Sequence, residues 1–98
     1  MNTCPVCGYP ALREPPHAPS GGGSYEICPS CGFQFGVDDD DKGITYAVAR
    51  ERWVAAGCTW QSRGVRAPVK WDPATQLQGL LKPDRSKVKK VRPSPGKD

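Results

Sequence analysis

The chain has 98 residues, of which 11 are glycine, 11 are proline and 37% are hydrophobic. A chain this short with so many turn-forming residues cannot bury a large core, so we expect an additional stabilising element such as a metal ion. The formal net charge of +4 arises at one end, because residues 82–98 carry seven Lys and Arg against two Asp. Residues 1–81 carry seven basic and eight acidic side chains, so the pI of about 8.9 is a weak argument for nucleic-acid binding.

Membrane insertion and secretion are not expected from this sequence. No apolar run approaches the roughly 18 residues that a membrane-spanning helix needs, and residues 1–4 lack the basic and apolar stretches of a secretory signal. We therefore expect a cytoplasmic protein, in which cysteines stay reduced and paired CxxC motifs bind metal. A secreted scaffold with two disulfides is the alternative.

The first element is the motif Cys4-Pro5-Val6-Cys7-Gly8, which returns as Cys28-Pro29-Ser30-Cys31-Gly32. Each CPxCG motif forms a tight turn, a knuckle, that directs two sulfurs to one side, and two knuckles together supply four tetrahedral ligands. The proline stiffens the turn, and the glycine can adopt the positive φ that the turn requires. We predict one structural Zn²⁺, in preference to iron, with four metal ligands: Cys4, Cys7, Cys28 and Cys31.

Between and after the knuckles the pattern predicts a loop and then two short strands. Residues 11–24 contain three prolines and three glycines, which favours an exposed loop. Residues 25–27 and 33–35 alternate apolar and polar side chains on either side of the second knuckle, as strands of a hairpin do. Its apolar surface would consist of Tyr25, Ile27, Phe33 and Phe35.

The strongest helical signal runs from about Thr45 to Ala56. Thr45 suits an N-cap, and Gly57 is placed where a left-handed C-terminal residue is common. A single helical face would carry Tyr46, Ala49, Trp53 and Ala56.

A second, shorter helix is predicted from Pro73 to Leu81. Asp72 would be its N-cap, with proline in the first turn. Leu77, Leu80 and Leu81 give it an apolar side. The fold class is therefore predicted as small α+β: a zinc ribbon with a β-hairpin, one main helix and a short second helix in residues 1–81, followed by a disordered basic tail in residues 82–98.

Several other residues invite a functional interpretation. The acidic run Asp38–Asp41 lacks the spacing of an EF-hand, so we expect a solvated turn, with contact to a basic partner as the alternative. Cys58 is expected to be a small, partly buried apolar residue and His17 a solvated loop residue. Trp60 and Trp71 flank an arginine-bearing stretch, which predicts stacking on nucleic-acid bases, a protein contact or a satellite core beneath the second helix.

The knuckles resemble those of rubredoxin, whose iron lies between a CxxCGY and a CPxCG segment. The gap between the knuckles is shorter than in rubredoxin, and the basic tail differs. The stretch ICPSCGFQFGVDDD and the following helix, which ends in Trp-x3-Gly, are similar to bacterial cysteine-rich CPCC-type proteins over about residues 3–57. Val6 stands where that pattern has a third cysteine. This resemblance implies a small zinc-ribbon-like protein and no particular activity.

The sequence offers no nucleophile–base pair, phosphate loop or carboxylate dyad, so we expect no enzymatic activity and no small-molecule substrate. The leading hypothesis is a zinc-binding adaptor that contacts another protein. The alternatives are nucleic-acid binding through the tail and the Trp60–Trp71 segment, and electron transfer by rubredoxin-like iron.

Overall fold

A computed structural model describes residues 1–81 of the chain. This range contains two α-helices, α1 (Tyr46–Ala55) and α2 (Pro73–Leu81), and three isolated β-bridges. No β-strand forms within these 81 residues, so the predicted α+β zinc ribbon with a β-hairpin is wrong. The predicted disordered tail, residues 82–98, lies outside the described residues.

The hairpin fails because its two segments change register. A single bridge joins Ile27 and Gln34. Beyond it the N–H of Phe35 donates to the carbonyl of Glu26 (3.2 Å), while the carbonyl of Phe35 accepts from the N–H of Tyr25 (2.9 Å), one residue further along. Tyr25 has φ 63°, in the left-handed region, where an extended strand cannot continue.

The alternation of the two segments therefore predicts the core only in part. Phe33 and Phe35 are buried as expected, and Phe35 is fully enclosed. Tyr25 and Ile27 are 62% and 57% exposed. Ile27 is exposed because it pairs with Gln34, which puts its side chain on the face opposite Phe33 and Phe35. Tyr25 is exposed where the extended backbone ends.

Helix α1 has the caps that its sequence predicts. The Thr45 hydroxyl accepts a hydrogen bond from the N–H of Val48 (3.1 Å), which satisfies one of the free donors in the first turn. The helix ends at Ala55, and Gly57 follows with φ 98° and donates to the carbonyl of Val54 (3.0 Å).

One face of α1 packs against the core, as predicted, but the face is shorter than expected. Trp53 is buried, and Tyr46 and Ala49 pack against the buried cluster, whereas Ala56 is exposed. The buried cluster itself comes mostly from residues outside the helices: Cys4, Val6, Cys7, Tyr9, Leu12, Cys28, Phe33, Phe35 and Trp53.

Helix α2 has the predicted bounds and N-cap. The Asp72 carboxylate accepts from the N–H of Ala74 (3.1 Å) and from the hydroxyl of Thr75 (2.8 Å). Leu77 packs against the core, but Leu81 is 55% exposed, so the predicted apolar side is narrower. Neither helix in the described range has the length and apolar character that a membrane crossing requires.

The loop between the knuckles contributes one residue to the core that the sequence does not predict. Leu12 is fully buried, and its backbone pairs with Asn2 through two hydrogen bonds of 3.0 and 2.9 Å. This pairing fixes the N-terminus beside the first knuckle. Further along, residues 17–23 form a turn, closed by a bridge between His17 and Gly23.

Candidate metal centre

The two CPxCG motifs adopt the same backbone conformation. In each knuckle the N–H of the first cysteine donates to the carbonyl five residues further on, and the N–H of the glycine donates back to the carbonyl of the first cysteine. The glycines have φ 88° and 81°, which a residue with a side chain rarely adopts. The bonds are 2.8 and 2.9 Å long in the first knuckle (Cys4 to Tyr9, Gly8 to Cys4), and 2.9 and 2.8 Å long in the second (Cys28 to Phe33, Gly32 to Cys28).

The four knuckle sulfurs converge on one point, because all of them lie within 4.8 Å of one another. The Sγ atoms of Cys4 and Cys31 are 3.8 Å apart, and those of Cys7 and Cys28 are 3.7 Å apart. Tetrahedral ligation with metal–sulfur bonds of about 2.3 Å places sulfurs ~3.8 Å apart. A disulfide requires about 2.05 Å, and all five cysteines are free. The cluster can therefore hold a metal ion.

The electrostatics of the cluster also suit a cation. Three of the cysteines are buried, and thiolates this close repel one another unless protons or a cation offset their charge. Hydrogen bonds from Cys28 and then Cys31 lower the pKa of Cys7, whereas contacts with Cys28 and then Cys4 raise the pKa of Cys31. A divalent cation would displace the protons that otherwise offset the charge of these sulfurs.

The first knuckle is held by Arg50 of α1. Its Nε donates to the carbonyl of Val6 (2.9 Å), and its Nη2 donates to the carbonyl of Pro5 (2.7 Å). This fork brings a positive charge to the backbone between Cys4 and Cys7, beside sulfurs that carry negative charge when they bind metal. The sequence places Arg50 beside the apolar face of α1 but gives no sign of this contact.

The second knuckle is held by the segment that follows α1. The carbonyl of Pro29 accepts from the N–H groups of Gln61 (3.1 Å) and Ser62 (2.9 Å). Ser30, in the same knuckle, is fully buried, and its hydroxyl accepts a 3.0 Å hydrogen bond from Nε2 of Gln76 in α2. These supporting contacts join residues 32 to 46 positions apart, and no local pattern in the sequence indicates them.

No family model, curated protein or solved structure matches this chain. What is established is the convergence of the four cysteines. Membership of the CPCC type and the rubredoxin-like character remain expectations from the sequence.

Trp60 and Trp71 belong to a satellite of the core. Their rings meet edge-to-face at 5.1 Å, and Trp60 packs in the same way on Tyr9 at 5.7 Å. The indole N–H groups are also engaged, with the carbonyl of Val65 (2.7 Å) and with Oε1 of Gln76 (2.8 Å). Rings paired in this way are poorly placed to stack on bases, so the satellite-core alternative is the one that the structure favours.

A second cluster of ligand-type atoms consists of His17, Asp39 and Asp40, within 4.8 Å of one another. His17 Nε2 lies 3.3 Å from Asp39 Oδ2 and 3.1 Å from Asp40 Oδ2, and the Tyr46 hydroxyl donates to Asp39 Oδ2 at 3.3 Å. His17 is a loop residue, as predicted, but it is only partly solvated, since its side chain is 28% exposed and contacts the two carboxylates.

The acidic run has a structural role that the sequence does not reveal. The Asp38 carboxylate accepts from the N–H of Gln34 (2.8 Å), and Asp39 Oδ1 accepts from the N–H of Gly36 (2.6 Å). Burial opposes ionisation of Asp39, but the hydrogen bonds from Gly36 and Asp40 outweigh it and lower the pKa of this carboxyl. The first two acids therefore organise the turn before α1, and only Asp40 and Asp41 are exposed.

Cys58 lies apart from the metal centre, as predicted. Cys58 is half-buried and packs against the core. It follows Gly57, and its own φ is 54°. It serves as a natural internal control for the four knuckle cysteines.

An open cavity of about 450 Å³ adjoins the second knuckle. Ile27 and Val65, which are 57% and 48% exposed, are among its lining residues, together with Ala11 and Arg13.

Proposed function

We propose that this chain is a non-enzymatic metal-binding protein in which Cys4, Cys7, Cys28 and Cys31 ligate one structural Zn²⁺. The observation that carries the proposal is the pair of sulfur separations, 3.8 and 3.7 Å, which match the edge of a tetrahedral thiolate site. A set of four sulfurs leaves no position for a water ligand, so the ion stabilises the fold and performs no hydrolysis.

The test is the metal content of gently purified protein, determined by native mass spectrometry and elemental analysis. We expect one zinc per chain in the wild type and in Cys58→Ser, and a loss of stoichiometric zinc in Cys31→Ser. Equal metal content in the two variants would contradict the proposal. A red preparation that bleaches on reduction would indicate iron instead.

We further propose that the metal centre supports a surface that contacts another protein. Support comes from the exposed apolar side chains of Tyr25, Ile27 and Val65 near the second knuckle, because large apolar side chains at a surface favour protein contacts. With Trp60 and Trp71 engaged in the satellite core, nucleic-acid binding would depend on residues 82–98 and on the exposed basic residues Arg63, Arg66 and Lys70.

Affinity capture tests this second proposal with four baits: the wild type, a chain that stops at Leu81, Ile27→Asp and Val48→Asp. We expect a specific partner to be retained by a chain that stops at Leu81 and by Val48→Asp, and lost with Ile27→Asp. Val48 is a suitable control because it is also exposed (37%) but lies on α1. Loss of the partner on removal of residues 82–98 alone, together with salt-sensitive binding of RNA or DNA, would favour the nucleic-acid alternative.

A further inference from the structure

The side chain of Gln76 joins the two knuckles to helix α2. Its Nε2 donates to the carbonyl of Cys7 (3.2 Å) in the first knuckle and to the hydroxyl of Ser30 (3.0 Å) in the second. Its Oε1 accepts from Nε1 of Trp71 (2.8 Å), so the amide is held from both ends. Apart from the cysteines, no other side chain within residues 1–81 hydrogen-bonds to both knuckles.

The backbone of α2 also lies directly against the first knuckle. A Cβ added to Gly8 would be 2.5 Å from the carbonyl oxygen of Gln76 and 3.1 Å from Cβ of Leu80. Only glycine permits this approach. Helix α2 therefore packs on the turn that carries Cys4 and Cys7, while Gln76 extends across to the turn that carries Cys28 and Cys31.

We propose that Gln76 is a positioning residue for the metal centre and that it couples metal occupancy to the docking of α2. This inference rests on the proposed function, since it concerns the same four sulfurs. One amide can reach the Cys7 carbonyl and the Ser30 hydroxyl together only when the knuckles are as close as a shared ion draws them. Metal binding and α2 docking therefore stabilise each other, and such coupling is reciprocal.

The consequence is a metal-dependent position for helix α2. When the ion is bound, α2 is held on the knuckles. When the ion leaves, the two acceptors of Gln76 separate and α2 is released.

The test compares Gln76 with Gln78, which is exposed on the same helix. Zinc-loaded full-length wild type, Gln76→Ala, Gln76→Glu and Gln78→Ala are mixed with excess chromogenic chelator, and the rate of zinc transfer is followed. We expect transfer to be about tenfold faster, equivalent to about 1.4 kcal/mol, in Gln76→Ala and in Gln76→Glu, because both lose the donor to the two knuckles while Gln76→Glu keeps the shape. Gln78→Ala should remain within about twofold of the wild type.

A second readout distinguishes positioning from general destabilisation. Hydrogen exchange of the zinc-loaded Gln76 variants should increase over residues 73–81 and remain unchanged over residues 46–55. Equal transfer rates for the Gln76 and Gln78 variants, or increased exchange in both helices together, would overturn the proposal. If the wild type binds no metal, the proposed function itself fails, so the two failures are distinguishable.

The wild-type chain offers an independent version of the test, should the Gln76 variants fail to fold. Cadmium is larger than zinc and expands the sulfur tetrahedron. We expect the cadmium-loaded protein to show faster exchange over residues 73–81 than the zinc-loaded protein, with residues 46–55 unaffected. Identical exchange of α2 with the two metals would contradict the coupling.

Discussion

The backbones of Gly23 and Gly36 cross in direct contact, so that a Cβ added to Gly23 would lie 2.5 Å from the amide nitrogen of Gly36. Gly23 closes the turn between the knuckles, and Gly36 follows the second knuckle. The contact therefore ties the loop of residues 11–24 to the segment that organises the start of α1. Because both partners at this crossing are backbone atoms, neither can move aside as a flexible side chain would.

The substitution Gly23→Ala should destabilise the folded protein by about 1–3 kcal/mol, since overpacking forces the backbone to shift. Gly22→Ala is the matched control, because a Cβ there meets nothing within 4 Å. Urea unfolding of the zinc-loaded proteins measures both changes. A Gly23→Ala protein as stable as Gly22→Ala would show that the two backbones do not cross so closely.

Replacement of Arg50 should weaken the first knuckle. Arg50→Met removes both hydrogen bonds and the only side-chain charge that contacts the Pro5 and Val6 carbonyls in the described range, and we expect a loss of about 2 kcal/mol in unfolding free energy. Arg50→Lys should be intermediate, because lysine keeps the charge but cannot form the fork. Arg52→Met, at an exposed position of the same helix, should change stability by less than about 0.5 kcal/mol.

The stability of the protein should fall as the pH rises from about 10 to 12. Burial, reinforced by the charge and hydrogen bond of Asp39, raises the pKa of Tyr46 from 10.0 to about 12. Within this window the unfolded chain has lost a proton that the folded chain retains, so each rise in pH favours unfolding. The stabilisation that comes from the raised pKa of Tyr46 is fully present below pH 10.

The substitution Tyr46→Phe tests this assignment. It should remove part of the decline between pH 10 and 12, as measured by urea midpoints across the range. Tyr25→Phe, which removes an exposed hydroxyl, is the control. A decline of unchanged slope in Tyr46→Phe would mean that other groups cause it.

Removal of the metal should unfold the N-terminal half of the protein. Cys4, Cys7 and Cys28 are themselves core residues that pack with Phe33 and Phe35, so the energy of metal binding is folding energy. We expect a strong chelator to collapse the dispersion of the amide NMR spectrum and added zinc to restore it. A dispersed spectrum in the metal-free protein would show that the core folds without the ion.

The features that the sequence predicted correctly are local ones. Thr45 and Asp72 lie within three residues of the N–H groups that they cap, so both helix starts could be recognised from neighbouring residues. The cysteine spacing likewise fixes each knuckle by itself, and the identity of the two motifs indicated that they act as a pair.

The features that the sequence did not predict depend on distant contacts. Arg50 reaches its acceptors across 44 and 45 residues, and Gln76 reaches Cys7 across 69. The hairpin prediction was wrong for a different reason, because the alternation of residues 25–35 cannot show that Ile27 pairs with Gln34 or that the register shifts at Tyr25. In this chain the turns, not a sheet, bring the sulfurs together.

The turn at residues 18–22 belongs to the loop between the knuckles, and its glycines Gly21 and Gly22 have open space around them. In the described range this turn has only two backbone hydrogen bonds, one from the N–H of Ala18 to the carbonyl of Gly22 and one from the N–H of Gly21 to the carbonyl of Ala18. Lengthening a surface turn costs little, about 0.6 kcal/mol for each doubling. A fluorescent or affinity tag inserted between Ser20 and Gly21 should therefore leave the cysteine cluster undisturbed and provide an internal labelling position.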